Sequence, residues 1–291
     1  MCIVPVWRKN PVFAFPVRIP ADTKNVLLFR LHFARRALII REATKRGAVQ
    51  MAKDGGAKRP VLGVLGGLGP MSSVYFYEML TTHTPAVRDQ DHLDIILSSR
   101  ASTPDRTAYI LGESEEDPFA AMERDAEMLV QYGATLLAIP CNTAHYFYDR
   151  LARSLPVPIL NMVRLTVRRA KAEGCRSLGV LATSGTVDSH TYQRLCRAEG
   201  LECVLPSPEN QKALMEIIYG QIKSGRRADM ALFMRVADEL RAAGCERAVL
   251  GCTELSLIKR DEGLDDPFFL DSTEVLAREA LLACGITPIG F

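Results

Sequence analysis

An α/β architecture of two similar lobes, each a mainly parallel sheet flanked by helices, is predicted by three observations. From residue 60 onward, short apolar runs alternate with helix-length amphipathic stretches, the order that produces parallel sheets. A segment reading "LGVL" occurs at 62–65 and again at 178–181, each time followed by a glycine-containing turn and a helical pattern. Gly133 precedes Cys141 by eight residues, and Gly244 precedes Cys252 by the same interval. Glycine just past a helix end is common punctuation, so the shared spacing points to two related units.

The apolar runs at 61–66, 93–98, 135–140, 158–160, 177–182, 201–205, 247–251 and 268–270 predict strands. Helices fill the gaps, notably at 71–83, 118–132, 143–153, 163–173, 188–199, 209–223 and 227–243. The expected division is a lobe one of 60–162 that recovers the segment 265–291, and a lobe two of 163–264. Ligands of open α/β sheets bind outside the carboxyl ends of strands. Cys141 and Cys252 both occupy such ends, so two facing lobes would bring one thiol from each side to a shared cleft.

With 291 residues, 48% of them hydrophobic, the chain can bury a substantial core. Its net charge of +2 hides an asymmetry. Residues 1–59 carry 13 of the 36 Lys and Arg but 3 of the 34 Asp and Glu, which leaves 23 basic against 31 acidic residues for the rest. A body of that balance argues against a nucleic-acid groove, which needs clustered cations. Every apolar run is interrupted well short of the roughly 20 residues that cross a bilayer, so no membrane span is expected. The stretch "NVLLFRLHFARRALIIRE" (25–42) is basic and amphipathic like a targeting helix, yet 1–59 contains no serine. That segment reads as a basic extension, disordered or arising from an upstream start, with Met51 opening the body.

Eight cysteines (2, 141, 175, 196, 203, 245, 252 and 284) show no CxxC and no zinc-like spacing with histidine. Free thiols in a reducing cytoplasm and no metal are the expectation. A thiol at a strand end, beside the amides that open a helix, is stabilised as thiolate by those donors and by the helix dipole. Two such thiols on opposite sides of a substrate suit removal of a proton from carbon on one face and its return on the other, which inverts a stereocentre. Glycine turns and the Thr, Asn and Ser side chains nearby supply donors for the negative charge that develops.

Other readings compete at single motifs. Gly67–Ser72 nearly matches a dinucleotide fingerprint, with Asp89 or Asp91 about 20 residues on, but Pro70 at a helix start needs no nucleotide to explain it. His145, one helical turn beyond Cys141, fits either a base or a packing role, and Glu254 fits either an orienter of Cys252 or a helix cap. Two facing lobes that merely bind and release an amino acid would need no reactive thiol.

Taken together, "VLGVLGGLGPMSS" (61–73), "PCNTAH" (140–145) and "GCTE" (251–254) resemble the aspartate/glutamate racemase superfamily, most closely its aspartate racemase branch. The resemblance covers about 60–291. It implies a cofactor-independent racemase, an isomerase without pyridoxal phosphate or metal, with Cys141 and Cys252 as its acid/base pair. It also implies that Asn142, Thr143 and Thr253, with the Gly67 turn, line the substrate pocket. "TPDRTAYILG" (103–112) resembles the family loop whose arginine grips a substrate carboxylate, which points to Arg106. "IIYGQIKSG" (217–225) resembles the helix end that presents a lysine, which points to Lys223. Two cations favour an acidic amino acid, aspartate or possibly glutamate. Leu68 departs from the family's usual methionine in the glycine turn, and Glu254 stands where glutamate racemases typically carry histidine. Hydantoin racemases and maleate isomerases share the cysteine pair, and a homodimer is the family's common state.

Overall fold

The computed structural model describes residues 59–291. The basic segment before them, with its targeting and start-site readings, lies outside the described residues. Strands β1 (Val61–Gly66), β2 (Asp94–Ser99), β3 (Leu136–Ala138) and β4 (Ile159–Leu160) form one sheet in the order β2-β1-β3-β4. Strands β5 (Ser177–Leu181), β6 (Glu202–Val204), β7 (Arg247–Leu250) and β8 (Phe269–Asp271) form a second in the order β6-β5-β7-β8. All six pairings are parallel, and the two strand orders are the same relative to the start of each half.

Helices cover both faces of each sheet, as parallel strands require. In the first half these are α1 (Pro70–Thr82), α2 (Arg106–Ile110), α3 (Phe119–Gln131) and α4 (Tyr148–Ser154). Helix α5 (Met162–Ala172) leads into the second half, where α6 (Ser184–Asp188), α7 (Thr191–Glu199), α8 (Pro208–Met215), α9 (Met230–Ala242) and α10 (Thr253–Glu262) follow. Helix α11 (Ser272–Ala283) ends the order. Alternation along β1 divides its side chains between two cores: Leu62 and Val64 join Phe76 and Met79 of α1, and Leu65 faces Met122 and Leu129 of α3. Among the described residues, no helix is long and apolar enough to cross a membrane.

The repeat extends to individual contacts. Helix α3 ends in a Schellman arrangement in which Gly133 N–H bonds Val130 O and Ala134 N–H bonds Leu129 O; α9 ends alike, with Gly244 on Arg241 and Cys245 on Leu240. Both glycines have positive φ, 106° and 84°. Each helix then presses a leucine onto the first strand of its sheet. A Cβ at Gly63 would meet Ala134 Cβ at 2.8 Å and Leu129 Cβ at 3.3 Å, and one at Gly179 would meet Leu240 Cδ1 at 2.8 Å and Cβ at 3.3 Å. The "LGVL" glycines are thus packing contacts between helix and strand.

Sequence reading assigned 265–291 to lobe one as a block, and the structure divides that segment. Strand β8 pairs with β7 in the second sheet, through Ala248–Phe269, Val249–Leu270 and Leu250–Asp271. Only α11 crosses back, packing Leu276, Ala277, Ala280 and Leu281 against Leu62, Val64 and Leu136. The mirror-image crossing occurs after β4. There α5 leaves the first sheet and packs Val163, Val167 and Ala170 against Leu178, Val180 and Val249 of the second. Asn161 and Asp271 cap the two crossing helices by accepting from Arg164 N–H and Thr273 N–H, each at 2.8 Å. Each lobe therefore donates its last helix to the other.

Two expected helices differ in detail. The 143–153 stretch is a 3₁₀ turn (Thr143–Phe147) followed by α4, and 209–223 is α8 followed by a π-helical turn (Glu216–Ile222). The short helices α2 and α6 had no periodicity long enough to signal them. Because the contacts at Gly63 and Gly179 have no slack, Gly63→Ala and Gly179→Ala should each destabilise the fold by about 1–3 kcal/mol through overpacking. Urea unfolding followed by circular dichroism checks this: the midpoint should fall with the slope unchanged, and Gly63→Ala should fall further because the Ala134 methyl cannot rotate away.

Candidate active site

The carboxyl ends of the two sheets face one pocket of about 260 Å³, counting the solvent at its mouth. Its lining includes Cys141, Asn142, Thr143 and Arg106 from lobe one, with Lys223, Cys252, Thr253 and Glu254 from lobe two. Seven of the eight residues singled out from sequence therefore converge, and Gly67 does not. At Gly67 the backbone turns with φ 79°, its N–H donates to Ser73 Oγ at 2.9 Å, and an added Cβ would strike the backbone of Arg100. The turn is built by Gly67, whereas Leu68 next to it meets the cavity.

Arg106 opens α2 and is 7% exposed. Its Nη1 donates to Thr103 O at 3.1 Å and Pro104 O at 2.8 Å, and its Nη2 donates to Leu68 O at 3.2 Å. Nε is buried without a partner, and no carboxylate pairs with this guanidinium among the described residues. A buried cation held only by carbonyl dipoles, with a donor left over, has the capacity to pair with an anion.

Lys223 arrives by a different device. Past α8 the chain widens into the π turn, and Lys223 N–H bonds Ile218 O, five residues back, at 3.0 Å. The ammonium then lies 4.7 Å from the centre of the Tyr219 ring and 3.4 Å from Glu254 Oε1. Burial, the largest single influence, favours the neutral amine, but Glu254 together with Cys252, Tyr219 and Cys141 outweighs it, and Lys223 stays charged, above the ordinary lysine range. Tyr219 in turn donates to Asp105 Oδ2 at 3.1 Å, and Asp105 caps α2 through Ala108 N–H at 2.9 Å. The lysine and the arginine are thus joined across the lobes through Tyr219 and Asp105.

Cys252 is the N-cap residue of α10, with extended backbone. Its Sγ donates to Glu254 Oε2 at 2.9 Å. Burial, then the Glu254 charge, push the thiol well above its usual range, and Lys223 pulls back only in part. Glu254 reaches this position because Gly69, with φ 135°, leaves room: a Cβ there would lie 2.5 Å from Glu254 Oε1. Cys141, 7% exposed, follows β3 through Ile139 and Pro140, and its Sγ has no hydrogen-bonded carboxylate among the described residues.

His145 has a definite task. Met162 N–H donates to Nε2 at 2.9 Å, so the ring proton sits on Nδ1 and is donated to Cys141 O at 2.9 Å. Burial holds the imidazole below its usual range and neutral. The ring therefore links the Cys141 backbone to the start of the crossing helix α5, and it does not contact the thiol as a base. Asn142 is similarly engaged: it accepts from Tyr192 OH at 2.7 Å and donates to Ser272 Oγ at 3.0 Å. It supports the cavity wall with one amide hydrogen uncommitted. Thr143 Oγ1 meets Thr183 Oγ1 at 2.9 Å and Thr186 Oγ1 at 3.0 Å across the lobes.

Leu68, Thr107, Thr183 and Tyr219 complete the lining and were not singled out from sequence. Two carried a signal. Aligning the two "LGVL" segments places Thr183 at the position of Gly67, and Tyr219 stands one helical turn before Lys223.

Similarity to known proteins agrees with this arrangement. The chain is 29% identical to the aspartate racemase of Picrophilus torridus, whose structure covers 78% of this chain and 95% of its own with a TM-score of 0.69. A broad specificity amino-acid racemase of Bacillus subtilis, RacX, is 26% identical over 227 residues, 76% of this chain and 96% of that protein. Glutamate racemase of Corynebacterium glutamicum is 28% identical over 166 residues, 53% of this chain and 60% of the relative. With the family model described as Asp/Glu/Hydantoin racemase matching residues 65–280, the chain belongs to that family of isomerases.

Proposed function

We propose that the protein racemizes an acidic amino acid, with aspartate as the primary substrate, by a two-thiol mechanism. The observation that carries this reading is one cavity holding two thiols from opposite lobes together with the carboxylate-free, buried Arg106. In this mechanism one cysteine, as thiolate, removes the α-proton while the other, as thiol, delivers a proton to the opposite face. Arg106 takes the substrate's side-chain carboxylate, and Lys223 adds positive charge on the same side. The backbone N–H groups that open α10 and the turn after Cys141 stabilise the carboxylate as charge grows on the α-carbon. No separate cofactor enters these steps.

Charge balance supports the substrate class. Arg106 and Lys223 against Glu254 give the cavity one net positive charge while both thiols are protonated, matching the single net negative charge of free aspartate. The similarity to an aspartate racemase favours aspartate. The similarity to a broad-specificity racemase supports a second reading in which neutral amino acids also turn over.

Incubation of L-Asp, D-Asp, L-Glu, D-Glu and alanine with the enzyme in deuterated water, followed by proton NMR, decides between them. The expected result is loss of the α-proton signal with inversion, fastest for aspartate, and its abolition in Cys141→Ser and Cys252→Ser. Comparable rates for alanine would replace the acidic-substrate reading with the broad one, and exchange that persists in either variant would exclude the two-thiol mechanism. Arg106→Met should lower kcat/KM for aspartate at least about tenfold, about 1.4 kcal/mol, through a higher KM. Any residual turnover of alanine should stay unchanged, because only the side-chain carboxylate loses its partner.

A further inference from the structure

The two thiols occupy equivalent places in a repeated fold but meet different neighbours. Cys252 Sγ lies 2.9 Å from a carboxylate oxygen of Glu254, whereas no carboxylate bonds the Cys141 thiol among the described residues. The Glu254 carboxylate is 4% exposed, and its second oxygen faces Lys223 at 3.4 Å. As a mere helix cap it would bond the amides that open α10. Instead, its recorded partners are the Cys252 thiol, the Thr253 hydroxyl at 3.5 Å and the Lys223 ammonium. The described titratable groups that act on Cys252 are the Glu254 carboxylate, able to accept a proton, the Lys223 ammonium, able to stabilise the resulting thiolate, and the Tyr219 phenol.

We propose that Glu254 is a proton relay for Cys252, storing the thiol proton so that the thiolate forms in the cleft without releasing a proton to bulk solvent. This rests on the two-thiol reading above. In the first step the Sγ–H bond breaks and an Oε2–H bond forms, so the negative charge moves from Glu254 to sulfur. In the second, the Cys252 thiolate takes the α-proton, breaking Cα–H and forming S–H, while Cys141 breaks its own S–H and protonates the opposite face. Cys141 is left as thiolate with Glu254 protonated, and transfer of that proton to Cys141 through water restores the starting state. The proton count is the same at the end as at the beginning.

Sign separates a relay from a bystander. An ionised carboxylate beside a thiol opposes thiolate formation, so a purely electrostatic Glu254 would hinder the reaction and its removal would speed it. A relay does the reverse, because the carboxylate favours the thiolate once it holds the proton. Glu254→Gln keeps the shape and a hydrogen bond to Cys252 while abolishing proton uptake.

The test follows α-proton exchange and racemization of aspartate in both directions from pH 6 to 10, for wild type and Glu254→Gln, with circular dichroism as a check on folding. The expected result is a wild-type kcat/KM that is flat around neutrality. The variant should be slower by at least about 100-fold at pH 7 and recover about tenfold per pH unit as Cys252 ionises to solvent. The loss should be equal for the two enantiomers, since the equilibrium constant of racemization is one. An unchanged or faster variant, or an equal loss at every pH, would overturn the relay while leaving the two-thiol reading intact; no exchange by wild type with any acidic amino acid would overturn that reading and the relay with it. Independently of turnover, iodoacetamide labelling of Cys252, read by peptide mass in a Cys141→Ser background, should be slower near neutral pH and begin at higher pH in Glu254→Gln. An unshifted profile would overturn the contact on which the relay depends.

Discussion

The ion pair between Lys223 and the buried Glu254 is the constraint around which the cleft is built. Removing the Glu254 charge from water costs several kcal/mol unless hydrogen bonds and a further charge recover it. Glu254 recovers it through Lys223 on one oxygen and the Cys252 thiol on the other. Lys223 adds the Tyr219 ring, whose hydroxyl is anchored on Asp105 of the opposite lobe. The same packing requires glycine at 69, where a side chain would collide with the carboxylate. A contact between lobes, a helix distortion and a glycine of the first turn thus have one common cause.

What holds the lobes in register for such a contact is the exchange of their last helices. Because α5 begins from the first sheet and packs on the second, and α11 does the opposite, sliding one lobe past the other would break apolar packing in both. The polar links follow the same route. His145 joins the Cys141 carbonyl to the first residue of α5, and Asn142 reaches Ser272, the first residue of α11. Each crossing helix is therefore tied to the strand end that carries a site residue. Buried as they are, these bonds give orientation more than net stability.

Much of this was legible in the sequence because the governing rules are local and were written twice. Strand positions followed from apolar runs bounded by turns, and the matched glycine-to-cysteine intervals reflect identical helix ends at Gly133 and Gly244. The π turn was not legible, since 216–222 has an ordinary helical pattern and its widening serves the placement of Tyr219 and Lys223, a tertiary demand. Strand β8 was assigned to the wrong lobe because three residues of apolar sequence fit either sheet, and only pairing with β7 decides. Gly67 was misplaced for a related reason. A glycine motif marks a turn without revealing which of its residues faces the cavity, and here Leu68 does.

A repeated scaffold sets a problem for inversion chemistry that its symmetry cannot solve. In the proposed two-thiol mechanism one thiol is charged while the other is neutral, so equal environments would leave the charge to chance and to solvent. The fold breaks the equality with a few residues after each strand: Asn142–Thr143 follow Cys141, and Thr253–Glu254 follow Cys252. On the first side the polar side chains are spent on joining lobes, Asn142 to Ser272 and Thr143 to Thr183. On the second, Glu254 places an ionisable group against sulfur, with a cation behind it. The geometric equivalence of the two thiols comes from the duplicated strands and helices, and their chemical inequivalence comes from a side chain at one position, held by a contact that only the assembled cleft can make.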